Sequence, residues 1–438
     1  MELGADAIWL SPIYPSPNAD FGYDVADYSR VDPDYGTLDD FDALVGATHE
    51  KGLRLLLDLV PCHTSIEHPW FRERPDLYFL ADRPLNNWVA AFGGPAWSRD
   101  EVSGRWYLHS FFPEQPDLNW RSPEVRARMG DVIRGWLDRG ADGFRLDAID
   151  RLMKDPELRD DPPATGAPLL PLHPEHGVLE HTHSRNAPDI GEAVASLREA
   201  AGDAFLVGEV YLPAAGLAQY LPSLDAAFAF ELLHAGFEPA RMRAAIEAMH
   251  ATGKAAWVLS NHDFSRLPNR VGRANDRAAA MLLLTLPGPA FIFQGDEIGM
   301  ADGPGHNPPL DRHGRDAFRH PMQWDPSPTG GFSEATPWLP SADPAQRNVA
   351  DQTADRGSLL WLYRDLIALR RTLGEGIAFR DSAPGTLVYE RGEHIVAINL
   401  GDGDRPGPEH RGIELATNAG AAADPALVPA HSGWIART

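Results

Sequence analysis

The chain has 438 residues, 43 % of them hydrophobic, which is enough for a large buried core and exceeds one ordinary domain. Acidic residues outnumber Lys and Arg by 63 to 39, and the formal charge of −24 opposes phosphate backbones and anionic lipid, so neither nucleic acid nor a membrane is an expected partner. The single cysteine, Cys62, excludes an internal disulfide; no apolar run nears the roughly 20 residues of a membrane span, and the first residues lack the pattern of a signal peptide, so a cytoplasmic location is expected.

In chain order, short apolar runs bounded by turn residues predict strands over 7–10, 53–60, 143–146, 204–208, 224–230, 257–260 and 290–293. Amphipathic stretches between them predict helices over 38–51, 123–139, 190–201, 239–252 and 275–286, several opening on Thr, Ser or Asp in capping positions. This alternation is that of an α/β fold built from βα units around a parallel sheet. It stops over 61–121, a stretch rich in Pro, Trp, Phe and Gly, too long for an ordinary connection and therefore read as an inserted subdomain. Residues 299–354 are again irregular, a helix is expected over 358–371, and β-like segments at 385–390, 394–399 and 413–416 predict a small C-terminal β-module. The division expected is thus barrel over 1–60, subdomain over 61–121, barrel over 122–373 and β-module over 374–438.

In such a barrel, catalytic side chains sit where strands end. Period-two alternation in Gly143-Phe-Arg-Leu-Asp147 puts Arg145 and Asp147 on one face. An Arg there favours the ionised form of the carboxylate and is expected to lower its pKa, as a nucleophile requires. The next strand ends in Val207-Gly-Glu209, and a later one in Ser260-Asn-His262-Asp263, so three carboxylates are expected at one rim. Retaining glycoside hydrolysis needs two carboxyl groups about 5 Å apart, one ionised and one protonated. An Asp at a strand end is, by itself, more often a helix cap or ion-pair member, and a lone His63 more often a satisfied structural histidine. The joint occurrence of the motifs in one order carries the functional reading.

Those motifs, with Asp58-Leu-Val-Pro-Cys-His63, resemble the α-amylase superfamily, glycoside hydrolase family 13, and within it the oligosaccharide-directed α-glucosidases. The resemblance implies a (β/α)8 TIM barrel with an inserted subdomain after the third strand. It implies Asp147 as nucleophile, Glu209 as general acid and base, Asp263 as transition-state stabiliser and Arg145 as the partner that holds the nucleophile. It further assigns a sugar-holding shell of Asp20, Tyr23, His63, Phe92, Phe111, Gln115, His262 and Arg315, with core packing an alternative for Phe92 and Phe111, and Asp24 and Asp58 as architectural.

The implied activity is retaining hydrolysis of α-glucosidic bonds in short oligosaccharides or glucosides, with Ala148 after the nucleophile favouring α-1,4 links, where relatives with Val favour α-1,6. The alternatives are a glucosyltransferase or a sucrose or trehalose isomerase on the same site, or a non-catalytic carbohydrate-binding relative. No cofactor is required. The family allows a structural calcium ion, but Cys62, where relatives generally carry Asn, argues against it. Closing the barrel takes eight strands and only seven are placed, so the first is expected to precede Met1, in roughly 40 to 60 further residues, with 1–6 the tail of a helix.

Overall fold

The computed structural model describes residues 2–166 and 173–438. It divides into two compact units, residues 6–228 and residues 229–438 with the first five.

In the first unit, β1 (Ala7–Leu10) and β2 (Arg54–Leu59) flank the helix Leu38–Glu50. Thr37 starts that helix with a reciprocal cap: its hydroxyl accepts the Asp40 N–H at 3.2 Å, and the Asp40 carboxylate accepts the Thr37 N–H at 2.8 Å. Residues 61–121 contain a small antiparallel sheet of β3 (Leu80–Ala81), β4 (Trp97–Arg99) and β5 (Trp106–Leu108), in the order β3-β5-β4, over a core of Trp88, Trp97 and Leu108. The helix Pro123–Asp138 follows, opened by Pro where a helix has an N–H to spare. Then come β6 (Gly143–Leu146), the helix Ile190–Ala201, β7 (Phe205–Gly208) and β8 (Ala226–Phe228).

β1, β2, β6, β7 and β8 pair in parallel in that order. The residues of β2, β6, β7 and β8 are mostly buried, as expected of parallel strands covered on both faces, while those of β1 are exposed or half-buried. Gly143 is required by close approach: a Cβ there would stand 2.1 Å from the Phe205 carbonyl oxygen. The register sets Asp58 of β2 beside Arg145 of β6, and Leu146 beside Gly208 of β7. Asp147 and Glu209 therefore leave their strands side by side.

The second unit continues the alternation with the helix Pro239–His250, β9 (Ala255–Val258), the helix Asp276–Thr285 and β10 (Ala290–Phe291), β9 and β10 being parallel. All seven strands read from the sequence are present, each within two residues of its expected bounds. After the helix Leu359–Arg370 come β11 (Ala378–Phe379), β12 (Thr386–Arg391), β13 (His394–Asn399), β14 (Arg405–Pro406), β15 (Gly412–Ala416), β16 (Leu427–Val428) and β17 (Ser432–Arg437). The sheet β11-β12-β13-β17-β15 is antiparallel and closes over Ile395, Ala397 and Trp434, forming the C-terminal β-module. Glu2 and Leu3 form a turn rather than a helix, with Gly4 at φ +93°; Met1 lies outside the described residues. Among the described residues no helix is long and apolar enough to cross a membrane.

Burial pushes three carboxyl groups of this unit upward, Asp276 to about 7, Asp296 to about 6 and Glu297 to about 7. Folded pKa values above the unfolded ones give a contribution to stability that is complete below about pH 4 and is lost as pH rises through about 7. Asp276→Asn is expected to remove part of that loss, raising Tm by a few degrees at pH 8 and by almost nothing at pH 4. Equal shifts at both pH values, measured by thermal melts, would rule this out.

Candidate active site

Arg145 organises the first unit's site. It projects from β6 and is buried, with Nη1 2.9 Å from Asp58 and 2.5 Å from Asp147, and Nη2 2.6 Å from Glu209. The backbone holds the two candidate catalytic carboxylates in place: Asp147 N–H donates to the Leu59 carbonyl and Glu209 N–H to that of Leu146, both at 2.9 Å. Ala148, at φ +45° and ψ +41°, turns its own N–H onto Glu209 Oε2 at 2.9 Å. Asp147 and Glu209 thus come within hydrogen-bond reach of one another.

Three carboxylates against one guanidinium would carry a net charge of −2 if fully ionised, and burial makes that costly. Asp147 is accordingly raised well above the usual carboxylate range, first by burial and then by the charges of Glu209 and Asp58, with Arg145 acting in the opposite direction. This corrects the expectation that Arg145 would leave Asp147 with a lowered pKa. The arginine is present as read, but burial and the like charges outweigh it. Asp58 is raised for the same reason, again mainly by burial.

The sugar-holding candidates of this unit converge. Tyr23 donates its hydroxyl to Asp58 at 3.0 Å, and its ring lies 5.7 Å from the Arg145 guanidinium. Gln115 Nε2 donates to Asp20 at 3.0 Å and lies 3.0 Å from His63 Nε2. His63 contacts the Phe111 ring at 5.2 Å, and Phe111 contacts Phe92 at 5.4 Å, so both phenylalanines join this network. Asp24 is architectural: it accepts Ser16 Oγ and the backbone N–H groups of Ala19 and Asp20.

His262, Asp263 and Arg315 form a second group, in the other unit. Asp263 lies 3.5 Å from His262 Nε2 and 3.2 Å from Arg315 Nη1. Two members of this group were not singled out in the sequence. Arg319 reaches Asp263 at 3.2 Å and donates Nε to the His262 carbonyl, while Asp311 grips Arg315 at 2.7 Å. Burial opposes the ionisation of Asp311, but Arg315 holds it down at about 2. The signal was present: Asp311, Arg315 and Arg319 stand four residues apart, the spacing that stacks side chains on one helical face.

A third feature bears on calcium. Cys62, His63 and Asp117 each bring a ligand atom within 4.8 Å of the others. Lys154 already sits there, buried, with Nζ 2.9 Å from Asp117, 3.1 Å from Ser110 Oγ, and on the Arg151 carbonyl. A soft thiol, an imidazole and a carboxylate already paired with an ammonium do not fit a hard dication that prefers six to eight oxygens.

The family model for the α-amylase catalytic domain matches residues 1–376. The protein named "Probable alpha-glucosidase" from Rhizobium meliloti (strain 1021) is 40 % identical over 417 residues, spanning 84 % of this chain and 76 % of that protein. Among solved structures, the α-glucosyl transfer enzyme XgtA is 33 % identical with a TM-score of 0.91, covering 100 % of this chain and 92 % of that one. A variant of the trehalulose synthase MutB is 29 % identical with a TM-score of 0.88, covering 100 % and 93 %. The fold is therefore the (β/α)8 barrel type of the α-amylase catalytic domain, followed by a small antiparallel module. The chain belongs to the α-amylase family and is a glycoside hydrolase of the α-glucosidase type.

Proposed function

We propose that the chain hydrolyses α-1,4-glucosidic bonds of short oligosaccharides with retention, through a glucosyl ester on Asp147. The observation that supports this most directly is the clamp of one guanidinium on both Asp147 and Glu209, with the two carboxyl groups within hydrogen-bond reach. Inverting enzymes keep their carboxyl groups about 6.5 to 9.5 Å apart to admit a water between them, whereas retaining enzymes bring them closer. In the first step, with the single proton of the pair on Glu209, the ionised Asp147 attacks the anomeric carbon while Glu209 gives that proton to the leaving oxygen. In the second, Glu209 takes a proton from water, which attacks the same carbon and frees Asp147. Asp263, held by Arg315 and Arg319, is assigned to the hydroxyls of the oxocarbenium-like transition state, and Asp20, Tyr23, His63 and Gln115 to holding the terminal glucose. Chromatography of products from maltose, isomaltose, sucrose and trehalose, with NMR of the first anomer formed, tests the reading. A β-anomer, or no turnover of any α-glucoside, would overturn it.

The α-1,4 preference rests on Ala148, buried directly behind the nucleophile. Ala148→Val is expected to move the ratio of kcat/KM for maltose over isomaltose about tenfold towards isomaltose, since a methyl-sized change in a tight pocket is worth about 1 to 3 kcal/mol. Because Ala148 has left-handed backbone angles, a β-branched residue there also strains the chain, so Tm should fall by a few degrees. A constant ratio would place linkage selection in the loops. A second reading, transfer of the glucosyl group to a sugar acceptor, is favoured by the likeness to a transfer enzyme and a trehalulose synthase. Transfer products accumulating ahead of free glucose would select it.

A further inference from the structure

We propose that Cys62 and His63 form a binding site for a soft monovalent d10 cation, copper(I) or silver(I), whose occupation shuts the sugar site. The two residues and Asp117 are almost wholly buried, and their ligand atoms lie within 4.8 Å of one another. His63 Nε2 lies 3.0 Å from the Tyr23 carbonyl, which accepts the ring proton in the tautomer that leaves Nδ1 its lone pair, whereas the Gln115 amide, also at 3.0 Å, pairs with the other tautomer. That Nδ1 is buried and meets no hydrogen-bond partner. The Cys62 thiol has only a long contact, 3.7 Å, to the Arg151 carbonyl. Asp117 is already neutralised by Lys154. What remains is one sulfur and one nitrogen, a donor pair that selects soft ions.

Charge decides which ion enters. The monovalent ion displaces the thiol proton, giving a Cys62 sulfur–metal bond and a free proton, while Nδ1 gives its lone pair, so the local charge is unchanged. Burial pushes the Cys62 thiol up, so the ion must drive that proton off. A divalent ion would add a positive charge beside Lys154 and Arg151, both buried. Coordination at Nδ1 draws the His63 ring away from Tyr23, Gln115 and Phe111, the partners that set it in the sugar wall. The inhibitory consequence rests on the glycosidase reading; binding does not.

Silver nitrate in chloride-free buffer is the probe, followed by calorimetry with a pH indicator and by glucoside hydrolysis. The full chain should take up one silver ion tightly, release one proton and lose at least tenfold in activity, while Ca2+ and Zn2+ at the same concentration do neither. Cys62→Ser and Cys62→Asn, checked for wild-type melting, should keep their activity in silver, and His63→Gln should bind the ion at least tenfold more weakly. Tight binding that survives either Cys62 variant, or is unchanged in His63→Gln, overturns the site. Tight binding with full activity overturns the inhibition. A wild-type chain that turns over no glucoside defeats the glycosidase reading, and calorimetry still decides the site.

Discussion

Asp147→Asn is expected to abolish glucoside hydrolysis, with kcat falling by at least about 10⁴-fold, while the protein melts no lower than wild type. The first half follows from covalent catalysis: an amide does not attack the anomeric carbon, and removing a member of a cooperating set loses nearly all of what the set supplies. The second half follows from the charge arithmetic around Arg145. Asp58, Asp147 and Glu209 crowd one guanidinium, and burial with their mutual repulsion raises Asp147 well above its ordinary range. A group whose folded pKa is raised adds stability below its unfolded pKa and loses it as pH climbs through the folded value. At pH 8 the neutral amide escapes that loss, so Tm should rise there and change little at pH 4, the pattern of a site that gives up stability for function. Melting curves at both pH values and product assays on maltose check the pair of claims. Residual activity above one per cent would remove Asp147 from the role of nucleophile.

Glu209→Gln is expected to separate substrates by their leaving groups. Maltose, whose departing oxygen needs a proton, should lose about 10³-fold or more, within the 10²–10⁴ range of general acid catalysis. Aryl glucosides with acidic phenols should keep most of their first step and stall at the glucosyl ester. Azide needs no general base, so it should restore turnover of the aryl substrates and give the α-glucosyl azide by a second inversion at the same carbon. A β-azide, or no rescue, would contradict the assignment. The stability effect should be opposite to that of Asp147→Asn. Both Glu209 oxygens receive N–H donors, from Arg145 Nη2 at 2.6 Å and Ala148 N at 2.9 Å. A glutamine must turn its NH₂ towards one of them, leaving two donors face to face, and Tm should fall.

The strands and the carboxylates at their ends were legible because period-two alternation and the four short motifs are local properties of the chain. Arg145 and Asp147, two residues apart on one face, needed no knowledge of their neighbours. The direction of the Asp147 pKa did. It depends on Asp58 and Glu209, which only the pairing of β2, β6 and β7 delivers, and on a depth of burial that no single segment reveals. Arg319 was passed over for a different reason: its spacing from Arg315 was visible, but in an irregular stretch rich in Pro and Gly a helical spacing carries no weight until the short turn Arg315–Phe318 is seen. Lys154 gave no signal at all, since a lone lysine points to a buried carboxylate only when the fold supplies one.

The pairing of Asp58 with Arg145 across β2 and β6 also guards the assembly of the sheet. A slip of one residue between these strands would send the two side chains to opposite faces. Asp58 would then be enclosed without its counter-charge, a loss of about 3 to 5 kcal/mol or more, while Arg145 would keep Asp147 and Glu209. The hydrophobic neighbours offer little resistance to such a slip, because Leu55, Leu56, Leu57 and Leu59 are alike and interchangeable in packing. The Asp58–Arg145 pair thus specifies the register of β2 against β6, and with it the place of Asp147 at the end of β6.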